Sequence, residues 1–144
     1  MKYTVDIIIE KPIDQVVALF DDPDNLAKWQ PGFVSAEHIE GEYGVPGSKY
    51  KLKYKMGKRD IEMIETLTVR DLPREMSGTY EARGVFNIVK NFFEPISENQ
   101  TRWRSDQEFQ FKGFMKFVAV LMPGSFKKQS MQYLKHFKEF AESQ

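Results

Sequence analysis

Glu65 is the carboxylate whose position fits a plain core least well. It lies in a stretch that reads as a hairpin. Tyr50, Leu52, Tyr54 and Met56 alternate with Lys49, Lys51, Lys53 and Lys55, and Gly57-Lys58 offers a two-residue turn. On the returning strand the apolar positions are Ile61, Met63, Leu67 and Val69. A two-residue loop pairs Met56 with Arg59. It then sets Lys55 opposite Asp60, Lys53 opposite Glu62, Tyr54 opposite Ile61 and Leu52 opposite Met63. Charges meet opposite charges on one face and apolar side chains meet on the other, so the register is self-consistent. The same register sets Glu65 opposite Tyr50 on the apolar face. If Val69 pairs with Met76 on the next strand, Tyr80 flanks Glu65 from the other side. A carboxyl between two phenols can anchor a ligand, act as a general acid or base, or serve as a structural group. Burial raises its pKa and phenol hydrogen bonds to the charged form lower it, and the sequence alone leaves the sign open.

Further chemistry is sparse. Trp103, Ser105, Gln107, Phe109 and Phe111 alternate with charged and polar residues, so Ser105 and Gln107 are expected to face inward. Hydrogen bonding to backbone or water accounts for both. His38 and His136 have no partner acid or nucleophile nearby in the chain, and both are expected on the surface. Cysteine is absent, which excludes disulfides and thiol nucleophiles and suits a cytoplasmic location. No metal or cofactor is expected. Gly41, Gly44 and Gly47 punctuate the loop GEYGVPGS, but no helix with a lysine follows, so they read as turn residues and not as a phosphate cradle.

These groups need a scaffold. Tyr3, Val5, Ile7 and Ile9 open the chain as a strand. Pro12 suits a first helical position, and Ile13, Val16, Val17 and Phe20 form a short amphipathic stripe. Asp24 is positioned to cap a second short helix that runs to Trp29, which anchors the pair to the core. Strands follow over 33–40, the hairpin, 76–82, 85–93 and 102–111. Periodicity leaves open which face of 85–93 is inner. The last thirty residues change to helical period: Phe126, Ser130, Tyr133, Leu134, Phe137, Phe140 and Ala141 fall on one stripe. Pro123-Gly124 predicts a break before it, with Ser125 as cap. The segment Phe114–Met122 is apolar nearly all round. It reads as a core helix or as a lid with one face free for a partner, such as a second copy of the chain, and it is shorter than the roughly 20 apolar residues that span a bilayer.

A chain of 144 residues is read as one domain, 1–144, able to bury about two thirds of its extended surface. Lys plus Arg and Asp plus Glu both number 21, so no overall positive field draws nucleic acid. Twelve Phe and seven Met provide an aromatic and deformable interior. The expected architecture is α+β: a seven-stranded curved antiparallel sheet wrapped around a long C-terminal helix, with two short helices after the first strand. One helix cannot fill the concave side of such a sheet, so a pocket is expected between them. Its expected lining is Tyr50, Leu52, Tyr54, Met63, Glu65, Met76, Tyr80, Trp103, Ser105, Gln107, Phe109, Phe117 and Leu121.

The segments KPIDQVVALFDDPDNLAKWQPGF, GEYGVPGSKYKL, FFEPISENQTRW and LMPGSFKKQSMQYLKHFKEFAE, in this order, closely resemble the SRPBCC superfamily of START-like, helix-grip proteins. That superfamily includes the polyketide cyclase/dehydrase and lipid-transport group. The resemblance covers nearly the whole chain. It implies a hydrophobic cavity between helix and sheet that holds a lipid, polyketide, steroid or related apolar molecule. The leading expectation is binding or carriage of such a molecule. The alternative is a cyclase or dehydratase step with Glu65 as acid or base. No catalytic pattern of the superfamily is carried over to particular residues.

Overall fold

The computed structural model describes residues 1–144. Strand β1 (Lys2–Ile9) is followed by α1 (Ile13–Asp21), a single 3-10 turn at Pro23–Asn25 and α2 (Leu26–Trp29). Six strands follow: β2 (Phe33–Glu40), β3 (Lys49–Met56), β4 (Arg59–Asp71), β5 (Glu75–Ala82), β6 (Val85–Ser97) and β7 (Gln100–Phe111). Helices α3 (Phe114–Leu121) and α4 (Pro123–Glu142) close the chain. All seven strands form one antiparallel sheet in the order β1-β7-β6-β5-β4-β3-β2. The expected helix-grip architecture is the observed one.

Packing is concentrated at one end. The C-terminal half of α4 presents Leu134, Phe137 and Ala141 to Val5 and Ile9 of β1, Val16 and Val17 of α1, Trp29, Phe93 and Trp103. The aromatic rings interlock: Phe20 lies 5.0 Å from Phe93 and 5.2 Å from Trp103, both edge-on. Such edge-to-face contacts add to the stabilisation by area burial. The other end of α4 is tied to β1 by the Tyr3 hydroxyl, which donates to the Phe126 carbonyl at 3.0 Å and contacts Ser130 Oγ at 2.7 Å. Between these two attachments the concave face of β3, β4 and β5 has no helix side chains to fill it.

The β3–β4 register is the one read from the alternation, from Met56↔Arg59 through Tyr50↔Glu65. The pairing of Val69 with Met76 is corrected. Val69 pairs with Ser77 and Arg70 with Met76, while Glu65 still pairs with Tyr80, because β4 carries an extra residue between Leu67 and Val69. Such a bulge reverses which side chains face inward beyond it. Arg70 therefore turns to the concave side, where Val69 was expected.

The two helix caps differ from expectation, and the expected break before α4 is present one residue earlier than Pro123-Gly124. Asp22, not Asp24, caps the turn that leads into α2, its Oδ1 accepting from the Asp24 amide at 2.9 Å. The break before α4 falls at Met122, with Pro123 in the first turn, where its missing amide costs nothing. Ser125 is not the cap; its hydroxyl donates to the Met122 carbonyl at 2.9 Å. Helix α3 is not a core element: it has no buried residue. No helix is long and apolar enough to cross a membrane.

Candidate functional site

The unfilled concavity is a cavity of about 1230 Å³, lined by 40 residues of which 23 are hydrophobic. Ligand sites typically occupy about 300–1,000 Å³ and are apolar with a few placed polar groups. This one is larger than that range and has the same character.

Each wall follows from strand alternation. Strand β3 contributes Tyr50, Leu52 and Tyr54; β4 contributes Met63, Glu65 and Leu67; β5 contributes Met76, Gly78 and Tyr80. Strand β6 turns Asn87, Val89 and Asn91 inward, so the inner face that periodicity left open is the odd-numbered one. Strand β7 adds Trp103, Ser105, Gln107 and Phe109, and α4 adds Phe126, Ser130, Tyr133 and Leu134 as a roof. Gly78, between Leu67 and Val89, presents no side chain and leaves the middle of the floor bare.

Eleven of the thirteen residues expected to line the pocket do so: Tyr50, Leu52, Tyr54, Met63, Glu65, Met76, Tyr80, Trp103, Ser105, Gln107 and Phe109. Phe117 and Leu121 do not. Helix α3 lies outside the sheet's concavity, and these side chains are 67% and 78% exposed. The break at Met122 lets α3 leave the path of α4 instead of extending it beneath the sheet.

Glu65 is half-buried and faces the cavity with Tyr50 and Tyr80 as cross-strand neighbours. Burial raises its pKa above the ordinary carboxylate value, and the Tyr80 hydroxyl opposes this only in part. Burial and the neighbouring carboxylate together raise the Tyr80 phenol. Arg70 also lines the cavity, but it is held by Asp21 of α1 at 2.6 Å. Tyr54 donates to Gln30 Oε1 at 2.7 Å, which ties the helical entry segment to the sheet.

The direction of the Glu65 shift has a measurable consequence. An acid whose folded pKa is raised leaves stability intact below the unfolded value of 4.5 and removes it as the pH climbs through the folded value. Glu65→Gln removes that charging penalty. The melting temperature of the variant relative to the parent should therefore increase as the pH rises from acid to neutral, by about 2–4 °C for each kcal/mol relieved. A difference independent of pH would contradict a raised Glu65.

The remaining polar groups form a second row. Gln107 Nε2 donates to Ser105 Oγ at 2.8 Å, and Asn87 Nδ2 donates to Gln107 Oε1 at 3.1 Å. Trp103 Nε1 donates to Asn91 Oδ1 at 3.0 Å. Trp29 differs: it is 7% exposed, lines the cavity, and its Nε1 has no partner. The sequence identified it as an anchor, which it is, but nothing in its local pattern marked an orphan donor. Asn87 and Asn91 were likewise missed because the inner face of β6 was open.

At the rim, the glycine loop folds back over the sheet. The Gly44 amide donates to the Tyr50 hydroxyl at 2.8 Å, and that hydroxyl contacts Ser48 Oγ at 2.9 Å. His38 is exposed, as expected, but it lies on this rim, its ring 5.4 Å from Tyr50 and 5.6 Å from Tyr43. His136 is exposed on α4. No group of three or more His, Cys, Asp or Glu is gathered where it could hold a metal ion.

A family model described as polyketide cyclase/dehydrase and lipid transport matches residues 1–142. Among solved structures, the chain is similar to the Zhui aromatase/cyclase of a Streptomyces species, with 12% identity, a TM-score of 0.82, and 99% of this chain and 93% of that chain covered. It is similar to Ara h 8.0201, with 15% identity, a TM-score of 0.79, and coverage of 100% and 99%. It is also similar to a point mutant of Thalictrum flavum norcoclaurine synthase bound to a transition-state analogue, with 16% identity, a TM-score of 0.73, and coverage of 98% and 93%. At these identities the likeness is one of fold. No protein of curated function matches the chain.

Proposed function

We propose, for a chain that belongs to the polyketide cyclase/dehydrase and lipid transport family, that the cavity binds and carries an apolar small molecule of the lipid or polyketide kind. The cavity of about 1230 Å³, with 23 hydrophobic residues among its 40, carries this reading. The polar groups suggest the rest of the ligand's chemistry. Glu65, which faces the cavity and is held toward its neutral form, offers a donor. It suits an oxygen acceptor, a carbonyl or hydroxyl, on an otherwise apolar body.

Both tryptophans of the chain, Trp29 and Trp103, line the cavity, so intrinsic fluorescence reports on its contents. Titration with a long-chain fatty acid and with a polycyclic aromatic ketone should change tryptophan emission saturably for at least one of them. A ligand present at a hundred times its dissociation constant should add about 2.7 kcal/mol of stability. No saturable change with either, and no co-purifying small molecule in native mass spectrometry, would contradict the proposal.

A second reading is supported by the placement of Glu65 between Tyr50 and Tyr80. A carboxyl with a raised pKa suits general acid–base work nearer neutrality, and phenols can polarise a substrate oxygen. In a cyclase or dehydratase step on a polyketide, Glu65→Gln keeps ligand binding and removes turnover. Equal turnover by the variant contradicts this reading and leaves carriage standing.

A further inference from the structure

Helix α3 and the residue after it leave five large apolar side chains in solvent: Phe114 at 77%, Phe117 at 67%, Val120 at 78%, Leu121 at 78% and Met122 at 56% exposed. A compact protein surface rarely displays such a cluster without a partner for it. Within α3, Phe114, Phe117, Val120 and Leu121 share one face, with Lys116 at its edge. Met115, Val118 and Ala119 are half-buried on the opposite side, which packs toward β7, α4 and the Gly84 turn.

Charge indicates what covers this face. The chain as a whole is neutral, yet the thirty residues from Phe109 to Lys138 contain six lysines and no acid. Four of these are exposed and form no ion pair: Lys112 just before α3, Lys116 within it, and Lys127 and Lys128 in the first turns of α4 that follow it. An apolar helical face with lysines around it is the pattern that lies in the interface of an anionic bilayer, its apolar side chains among the acyl chains and its ammonium groups at the phosphates. A second copy of the chain suits the face less well, because a two-fold contact would bring two lysine collars of the same sign together.

We propose that α3 is a peripheral docking surface for an anionic lipid leaflet. Docking there presents the end of the molecule where Phe109, Phe111 and Phe126 cluster, with rings 5.1 to 5.7 Å apart, and Phe109 and Phe126 line the cavity at that end. The proposal requires nothing of what the cavity holds. If the cavity carries a lipid-like molecule, this is the end through which it exchanges with the membrane.

Flotation with vesicles tests it. The protein should float with vesicles of phosphatidylcholine mixed with phosphatidylglycerol, stay behind with pure phosphatidylcholine, and be released by high salt. The double substitution Phe114→Ser with Val120→Ser alters side chains that face solvent and do not line the cavity. It should lower partitioning roughly tenfold or more, as should Lys→Gln at positions 112, 116, 127 and 128 together. Melting temperature and fatty-acid-induced changes in tryptophan emission, measured without vesicles, should be unchanged in the serine variant. Failure to float with anionic vesicles, or equal flotation by the variants, overturns the proposal and leaves the cavity reading untouched. Light scattering that shows a dimer dissolved by the serine substitutions also overturns it, in favour of a self-interface.

Discussion

Replacing Phe137 with alanine should destabilise the protein by about 3–5 kcal/mol, the expected range for a large aromatic removed from a packed core. The side chain is 0% exposed. Its ring sits 5.6 Å from Phe20, 5.1 Å from Trp29 and 5.3 Å from Trp103, edge-on to each. It therefore joins α4 to α1, to α2 and to β7 in a single contact set. These neighbours come from three separate elements, so they cannot collapse together into the space left behind, and the cost falls toward the upper part of the range. At about 2–4 °C per kcal/mol for a protein near this size, the melting temperature should fall by roughly 10 °C or more. A loss of less than about 1 kcal/mol would mean that the sheet end of α4 is not held as described.

Gly32→Ala should cost about 2–4 kcal/mol, from backbone strain together with a damaged hydrogen bond. Gly32 has a φ of +76°, in the left-handed region that side chains disfavour. A Cβ built there would overlap the Lys55 carbonyl oxygen. That carbonyl belongs to β3 and cannot retreat freely, because the Lys55 amide donates to the Gly32 carbonyl at 2.7 Å. Gly44→Ala is the control. Its φ is nearly the same, +76°, but a Cβ there meets nothing within 4 Å. The control should cost only the conformational part, about 1–2 kcal/mol. Equal losses at the two positions would show that the close approach to Lys55 carries no weight. The position matters for the site, because Gly32 turns the chain from α2 into β2 and so holds Gln30 over Tyr54.

Much of the architecture is legible in alternation and spacing. The Tyr50–Arg70 hairpin is specified twice, by apolar pairing on one face and by charge pairing on the other, and both fail under a one-residue slip. That redundancy is why Glu65 could be placed opposite Tyr50 from sequence. The β4–β5 pairing has only one such constraint. The bulge has no Gly or Pro in β4 itself; its one mark is Gly78 across from Leu67 on β5, where a Cβ would press on the Thr66 carbonyl, so Arg70 was missed while Glu65 and Tyr80 were not. Helix α3 was misplaced for a different reason. An apolar run carries no record of whether protein or something else covers it, and burial is merely the commoner outcome. Phe117 and Leu121 were lost to the pocket by that inference. Asn87, Asn91 and the free indole of Trp29 depend on long-range geometry, which local pattern does not encode.

The central claim is that the space between the sheet and α4 accepts an apolar guest. Val89 lies on the floor beside Gly78, 8% exposed and among the cavity's lining residues, so Val89→Trp projects a large ring into empty volume. The most direct measurement is calorimetric titration of a long-chain fatty acid and of a polycyclic aromatic ketone into the parent, into Val89→Trp and into the Phe114→Ser, Val120→Ser double variant. The parent and the serine variant should bind at least one of them, and Val89→Trp should bind that one at least tenfold more weakly while melting no more than a few degrees lower. Unchanged binding by a folded Val89→Trp, with binding lost in the serine variant, would place the guest on α3 and contradict the cavity.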